Sequence, residues 1–314
     1  MKKTLVVGLQ YGDEGKGRVS HFLAKDHDWS IRFNGGPNAG HTVYQDDRKF
    51  KLHHLPGGIL LGKKIALDTG MVIDRSILAR ELELVGANPE EIWVSENAHI
   101  IQKAHIEADR NGSGVGSTKK GIAYVYADRA LKKGIRFDEY AKILRFKIYR
   151  GLPPVGKNES ALFESAQGVM LDVDYGCYPW TTSSSVFPSS VHKINHRVGV
   201  MKAYTSRVGD GPPNYPELDW LGKKGDEFGT TTGRARKCYW LIADEVRYAL
   251  SVYQPDQIVV TKLDILEDVD EIKVWDEGKE VTIGSIDSYK DYLLENFPQI
   301  THFSESPKGP LVEV

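Results

Sequence analysis

TLVVGLQYGDEGKGR, residues 4–18, opens with the apolar run Leu5-Val6-Val7 and then places Gly8, Gly12, Gly15 and Gly17, with Lys16 between the last two. An apolar run leading into a Gly-rich loop with one lysine predicts a buried strand, a phosphate-binding loop and a helix start. The glycines let backbone N–H groups approach a polyphosphate. Lys16 adds a point charge, and the helix N-terminus adds its partial positive charge. No Ser or Thr follows the lysine, so the loop departs from the strict Walker pattern, and Asp13 and Glu14 stand inside it. Carboxylates beside a polyanion are unfavourable unless they hold a metal ion or move a proton. The plain alternative is a Gly-rich turn with a solvated acidic tip.

Outward from this loop, Val19 to Lys25 has helical character and Trp29 to Phe33 is strand-like. Asn34 to Thr42 (NGGPNAGHT) is a second Gly-rich segment, too dense in small polar residues for a simple turn. Phe50 to Leu61 reads as a strand with a turn at Pro56-Gly57-Gly58. Asp74 to Val85 reads as a helix with Asp74 as its cap. Ile92 to Val94 is a short strand. Asn111 to Thr118 (NGSGVGST) is a third small-residue loop, and Tyr140 to Tyr149 an amphipathic helix. Strands follow at Ala161–Phe163, Val198–Tyr204 and Gln257–Val260, with a helix over Trp240–Val252. Strands alternating with helices predict an α/β fold, a single domain over 1–314. Its central sheet is mostly parallel, with helices on both faces and loop insertions, in a P-loop-NTPase-like arrangement. The loops after Val7, Phe33 and Val260 then lie at carboxyl ends of strands, where such sheets bind ligands.

The 314 residues are 40% hydrophobic and 27% charged, as in an ordinary soluble globular chain. A net charge of -2 gives no electrostatic case for nucleic acid or a membrane surface. No run of about 18 apolar residues occurs, and the N-terminus enters a strand without an apolar leader, so neither a membrane span nor export is expected. The two cysteines, Cys177 and Cys238, are too few for a disulfide framework and lack metal-ligand spacing. They fit a reducing cytoplasm, as small buried apolar residues.

Thr261-Lys262-Leu263-Asp264 has the form of a guanine-reading loop. The Asp264 carboxylate can accept from the N1–H and exocyclic amine of guanine, a donor pair adenine lacks, while the Lys262 stem covers the base. An exposed Lys/Asp pair is otherwise commonplace. Arg234 and Arg236, in GTTTGRARK, suit a small dianion or phosphates, because guanidinium forks such oxygens. His41 stands among Gly and Thr rather than on an apolar face.

QYGDEGKG, NGGPNAGHTV, GSTKKGIA, FESAQGVMLDVDYGCYPWTTSS, KAYTSRVGDGP, GTTTGRARK and TKLD, in this order over residues 4–266, resemble the adenylosuccinate synthetase family. The resemblance implies a GTP-dependent ligase that joins L-aspartate to C6 of IMP through a 6-phosphoryl intermediate. It implies Mg2+ as cofactor, a homodimer and a cytoplasmic setting. Asp13 matches the base that removes the N1 proton and, with the Gly40 carbonyl, a ligand of Mg2+. His41 matches the residue that stabilises the transferred phosphoryl group and the 6-oxygen. Gly12, Glu14, Gly15, Lys16, Gly17, Gly40, Thr42, Arg236, Lys262 and Asp264 match the triphosphate site. Asn38, Thr118, Lys132, Gln167 and Thr182 match the purine monophosphate site, and Thr231, Thr232 and Arg234 the aspartate site. The family usually has Arg where Lys132 stands, in a segment that reaches a neighbouring subunit's 5′-phosphate. It usually has Asn-Thr where Ser185-Val186 stands. The tail Ser304–Gly309 matches its base-contacting Gly-Pro segment only loosely. The chain is shorter than the bacterial and eukaryotic forms. Its length resembles archaeal forms and a phage branch that converts dGMP with ATP or dATP. That branch typically carries Ser in place of Asp13.

Overall fold

The structure is a computed structural model that describes residues 1–112, 115–138, 145–229 and 233–314. In chain order the strands are β1 (Lys3–Gly8), β2 (Trp29–Gly35), β3 (His41–Gln45), β4 (Arg48–Leu52), β5 (Lys64–Ile73), β6 (Ile92–Ser95), β7 (His99–Ile100), β8 (Lys147–Tyr149) and β9 (Ala161–Gly168). They continue as β10 (His196–Lys202), β11 (Thr205–Val208), β12 (Arg236–Tyr239), β13 (Leu241–Ile242), β14 (Gln257–Thr261), β15 (Ile272–Asp276), β16 (Lys279–Gly284), β17 (Ile300–Phe303) and β18 (Val312–Glu313). The described helices are α1 (Lys16–Ala24), α2 (Arg75–Val85), α3 (Lys103–Asn111), α4 (Ile122–Ala130), α5 (Asp219–Lys224), α6 (Ala243–Tyr253) and α7 (Ile286–Asn296).

The main sheet runs β18-β17-β14-β10-β1-β9-β2-β5-β6-β8, with β7 also on β5. Every pairing in it is parallel except β17 with β18. Alternation along the strands decides what each face buries. Leu5 and Val7 of β1 pack with Ile31, Phe163, Ile258 and Val260 against α6 (Val246, Ala249) and α7 (Tyr289, Leu293). Val6 points the other way, with Leu162, Val198 and Val259, onto Val19 and Ala24 of α1. Helices therefore cover both faces, as the strand pattern predicts. A separate cluster joins Ile65 and Leu67 of β5 to Leu78 and Leu82 of α2. Asp74 caps α2 by accepting from the Ser76 and Ile77 N–H groups, an arrangement worth about 1 kcal/mol. No described helix is long and apolar enough to cross a membrane.

Three sequence expectations change. Phe50–Leu61 is not one strand: β4 ends at Leu52 and Gly57–Leu61 is a 3₁₀ turn. The buried Glu81 carboxylate takes the N–H groups of His53, His54 and Leu55 and so draws the chain off the ladder. Lys147–Tyr149, expected at the end of a helix, is strand β8 on the edge of β6. Tyr149 is held there by its hydroxyl on Asp68, 2.8 Å away. The earlier part of that expected helix, residues 140–144, lies outside the described residues. Trp240 precedes the helix rather than opening it, because Leu241 and Ile242 pair with β15 before α6 begins.

Candidate active site

Parallel strands end on the same edge of a sheet, so the carboxyl ends of β1, β9, β2, β10 and β14 converge around the loop Leu9–Gly15. The Thr261 hydroxyl at the end of β14 donates to the Glu14 carbonyl at 2.7 Å. Gln10 joins the β10 end through the Lys202 N–H and the Tyr204 carbonyl. Asn34 joins β2 to β9 by accepting from the Ala166 N–H at 2.9 Å. Gly15, at φ 89, turns the chain into α1. The first helical bonds come from Arg18 and Val19 to the Gly15 carbonyl, which leaves the Lys16 and Gly17 N–H groups outside the helix ladder.

The two acids of the loop separate. Glu14 turns inward and its side chain is fully buried. It accepts from the N–H groups of Gln10 and Gly12 and binds Lys16 Nζ at 2.6 Å. A side chain at Gly8 or Gly168 would collide with this carboxylate, at 2.2 and 2.4 Å. Glu14 and Lys16, both expected on a triphosphate, are thus engaged with each other inside the loop. Asp13 turns outward at φ 61, with 27% of its side chain exposed and its Oδ2 2.9 Å from Arg236 Nη2.

His41 lies against the first turn of α1, where a side chain on Gly17 would come within 2.8 Å of its Cβ. Its Nδ1 is bonded to the buried Glu164 of β9, and Arg32 of β2 completes the group from 3.8 Å. Arg32 Nη1, which only donates, lies 3.2 Å from the same nitrogen, so Nδ1 is occupied by one acceptor and one donor and Nε2 is the nitrogen through which His41 can act. Burial pushes the imidazole below its ordinary pKa and Arg32 adds to this, while Glu164 opposes both.

Arg236 is bonded to Glu227 as well as to Asp13. Glu227 also holds Lys202 at 2.8 Å and the Tyr204 hydroxyl at 2.5 Å. Burial alone would raise the Glu227 pKa, but Lys202, Arg236 and Lys262 overcome it and hold the group well below its ordinary value. Lys262, at φ 66, donates to the Gly225 carbonyl at 2.9 Å. Asp264 sits half-buried in the turn Leu263–Ile265, within the field of Arg18. Arg18 in turn binds Ser304 Oγ and the carbonyls of Ser306 and Gly309, bringing the tail to this side.

Gln167 adopts φ 58 at the end of β9, and its buried Oε1 has no hydrogen-bond partner among the described residues. Asn38 accepts from the Gly36 N–H at 3.1 Å, and Gly40 and Thr42 enter the β3–β4 hairpin with His41. The Thr182 N–H donates to the Leu171 carbonyl, in the loop after β9.

Two of the sequence-predicted residues flank one helix in the chain. Thr118 precedes α4 and the exposed Lys132 follows it, so a nine-residue helix, about 13 Å long, separates them. Arg234 is exposed on a loop closed by the Gly229 N–H on the Arg234 carbonyl, and Thr231 and Thr232 lie outside the described residues. Cys177, expected to be buried packing, is half-buried with its Sγ 3.8 Å from the Tyr11 hydroxyl.

Arg32, Glu164, Lys202 and Glu227 carry no role in the sequence reading, although Glu164 and Lys202 stand inside two of the family motifs. The first three stand in the apolar strands SIRFNG, ALFESA and VGVMKAY, and a charge inside such a run is too costly to bury without a partner. That pattern is the signal that marks those three; Glu227, in the polar stretch KKGDEFG, carries no such signal.

The family model for adenylosuccinate synthetase matches residues 5–150 and 154–292. The chain belongs to the adenylosuccinate synthetase family. Its members are carbon–nitrogen ligases of purine biosynthesis. The adenylosuccinate synthetase of Desulforamulus reducens is 35% identical, over 95% of this chain and 83% of its own. That of Thermoplasma acidophilum is 36% identical, over 87% of this chain and 78% of its own. Among solved structures, the fully ligated adenylosuccinate synthetase of Plasmodium falciparum superposes with TM-score 0.88 at 27% identity, covering 99% of each chain. The succinoaminodeoxyadenylate synthetase of cyanophage S-2L, bound to dGMP and dATP, superposes with TM-score 0.79 at 23% identity, covering 98% of this chain and 93% of that one. That second likeness is one of fold.

Proposed function

We propose that this chain converts IMP, GTP and L-aspartate to adenylosuccinate, GDP and phosphate. The observation that carries the reading is the division of labour in the loop: Glu14 is buried as its brace, which leaves Asp13 as the carboxylate exposed at its tip. Asp13 takes the N1 proton of the hypoxanthine and so makes the 6-oxygen a nucleophile toward the γ-phosphoryl group. His41, held by Glu164, stabilises the charge that develops on the transferred group. The aspartate amine then displaces phosphate at C6. Gln167 meets the purine, Thr118 the 5′-phosphate, and Arg234 with Thr231 and Thr232 the aspartate carboxylates. Asp264 reads guanine and Lys262 covers it.

The donor set suits Mg2+, which takes one or two protein carboxylates plus substrate phosphates rather than a protein cage. Asp13 and the Gly40 carbonyl would hold it, and it would neutralise charge on the phosphates. The separation of Thr118 from Lys132 supports a homodimer in which Lys132 serves the partner's 5′-phosphate. Sedimentation at micromolar concentration tests this: a monomer that is fully active would remove the role.

The activity itself is tested by supplying IMP or dGMP, each with GTP or ATP, and following aspartate-dependent phosphate release. Turnover of IMP with GTP is expected. Turnover of dGMP without IMP, or no aspartate-dependent release with any pair, would overturn the reading.

A further inference from the structure

Arg236 carries two carboxylates on one guanidinium, and they differ in access. The Glu227 side chain is fully buried, while Asp13 is 27% exposed. Lys202, 1% exposed, and Tyr204 fix the Glu227 end from below, with Lys262 Nζ 3.8 Å away. An ion pair sealed from water resists exchange, whereas one that solvent reaches gives way to a stronger ligand. Arg236 Nε is buried and has no hydrogen-bond partner among the described residues. Phosphate oxygens fit such a fork in bidentate fashion, and a polyphosphate carries more charge than one carboxylate.

We propose that Arg236 is a latch on Asp13, with Glu227 as its positioning residue. With no polyphosphate bound, Arg236 neutralises Asp13. An arriving polyphosphate takes the outer end of the fork, and Asp13 is released toward the purine. The inference rests on the roles of Asp13 and Arg236 proposed above and deepens them, because proton removal then waits for the phosphoryl donor. Idle deprotonation of the purine is thereby avoided.

The test is equilibrium binding of GTP in the presence of a chelator, which takes the metal out of the comparison. Wild type, Asp13→Asn, Arg236→Met and the double variant form the cycle. Asp13→Asn is expected to tighten metal-free GTP by about fivefold, the size of a partly exposed ion pair. In the Arg236→Met background the same change is expected to do nothing. Equal tightening in both backgrounds means plain repulsion between Asp13 and phosphate and overturns the latch. No tightening in the wild-type background overturns it too.

The Glu227 role is read by comparing Lys202→Met with Lys202→Met plus Glu227→Gln. The second variant removes the two buried charges together, so the fold is spared a lone charge. It is expected to raise KM for GTP several-fold over Lys202→Met while KM for aspartate stays put. Equal KM values for GTP would reduce Glu227 to a counter-ion of Lys202. Wild-type turnover of IMP with GTP reports separately on the proposed function, so either idea can fail alone.

Discussion

Glu245 provides a stability prediction that is independent of the chemistry. It lies in the first turn of α6 and accepts the Tyr11 hydroxyl at 2.6 Å through Oε1, while Oε2 is buried with no partner among the described residues. Tyr11 is the residue before Gly12-Asp13, and the Arg207 guanidinium lies 4.9 Å over its ring. Burial pushes the Glu245 carboxyl from 4.5 up to about 7, against the lowering pull of Tyr11 and Arg207. Between those two values the folded chain binds a proton that the unfolded chain has lost, so stability falls as pH rises through that window. The full gap is worth about 3 kcal/mol once both states are ionised. Glu245→Gln keeps an acceptor for the tyrosine and cannot ionise. Urea unfolding of both proteins should show the variant more stable by about 3 kcal/mol near pH ~8 and by only about 1 kcal/mol near pH ~5. A gap that is the same at both values would show that the carboxyl is not held protonated by the fold.

Asp13→Asn should reduce turnover by at least about a hundredfold with substrates saturating, and ordinary turnover would remove Asp13 as the base. Glu164→Gln should lower kcat by about the same factor with KM for IMP little changed, because it removes the charge that orients and stabilises His41; a loss confined to KM would contradict that role. Asp264→Asn should cost GTP about 2 kcal/mol of its advantage over ATP, measured as the ratio of kcat/KM values. An unchanged ratio would mean that guanine is not read there.

The strand–loop–helix unit at residues 4–18 was legible because its signals are local: an apolar run, then glycines, then a helix start. The fate of its acids was not. Asp13 and Glu14 are neighbours with the same charge, and only the tertiary surroundings tell them apart. Gly8 and Gly168 leave room for one carboxylate, and the Gln10 and Gly12 N–H groups close on it. Gly168 comes from a strand more than a hundred residues away, so no window around the loop contains that information. The same holds for Phe50–Leu61, where Glu81 of α2 intercepts three N–H groups that a strand would have spent on its neighbour. Lys147–Tyr149 failed for a related reason, since a sheet edge recruits three residues that alone would fit a helix as well.

Mid-strand charges explain why the site has this shape. Arg32 and Glu164 are register partners across β2 and β9, and Lys202 stands on β10, on the other side of β1. All three side chains are at most 1% exposed. Buried ion pairs are weak evidence for stability, because desolvation consumes most of their attraction. Something other than stability must account for two such groups flanking one loop. Each ends on a side chain beside that loop: the first on His41, the second, through Glu227, on Arg236. Surface pairs would leave these two groups free to sample many rotamers, whereas desolvated charges with fixed partners hold them to one. The sheet therefore tolerates charge in its core because a phosphoryl-transfer site needs its proton and charge carriers in place before the substrates arrive.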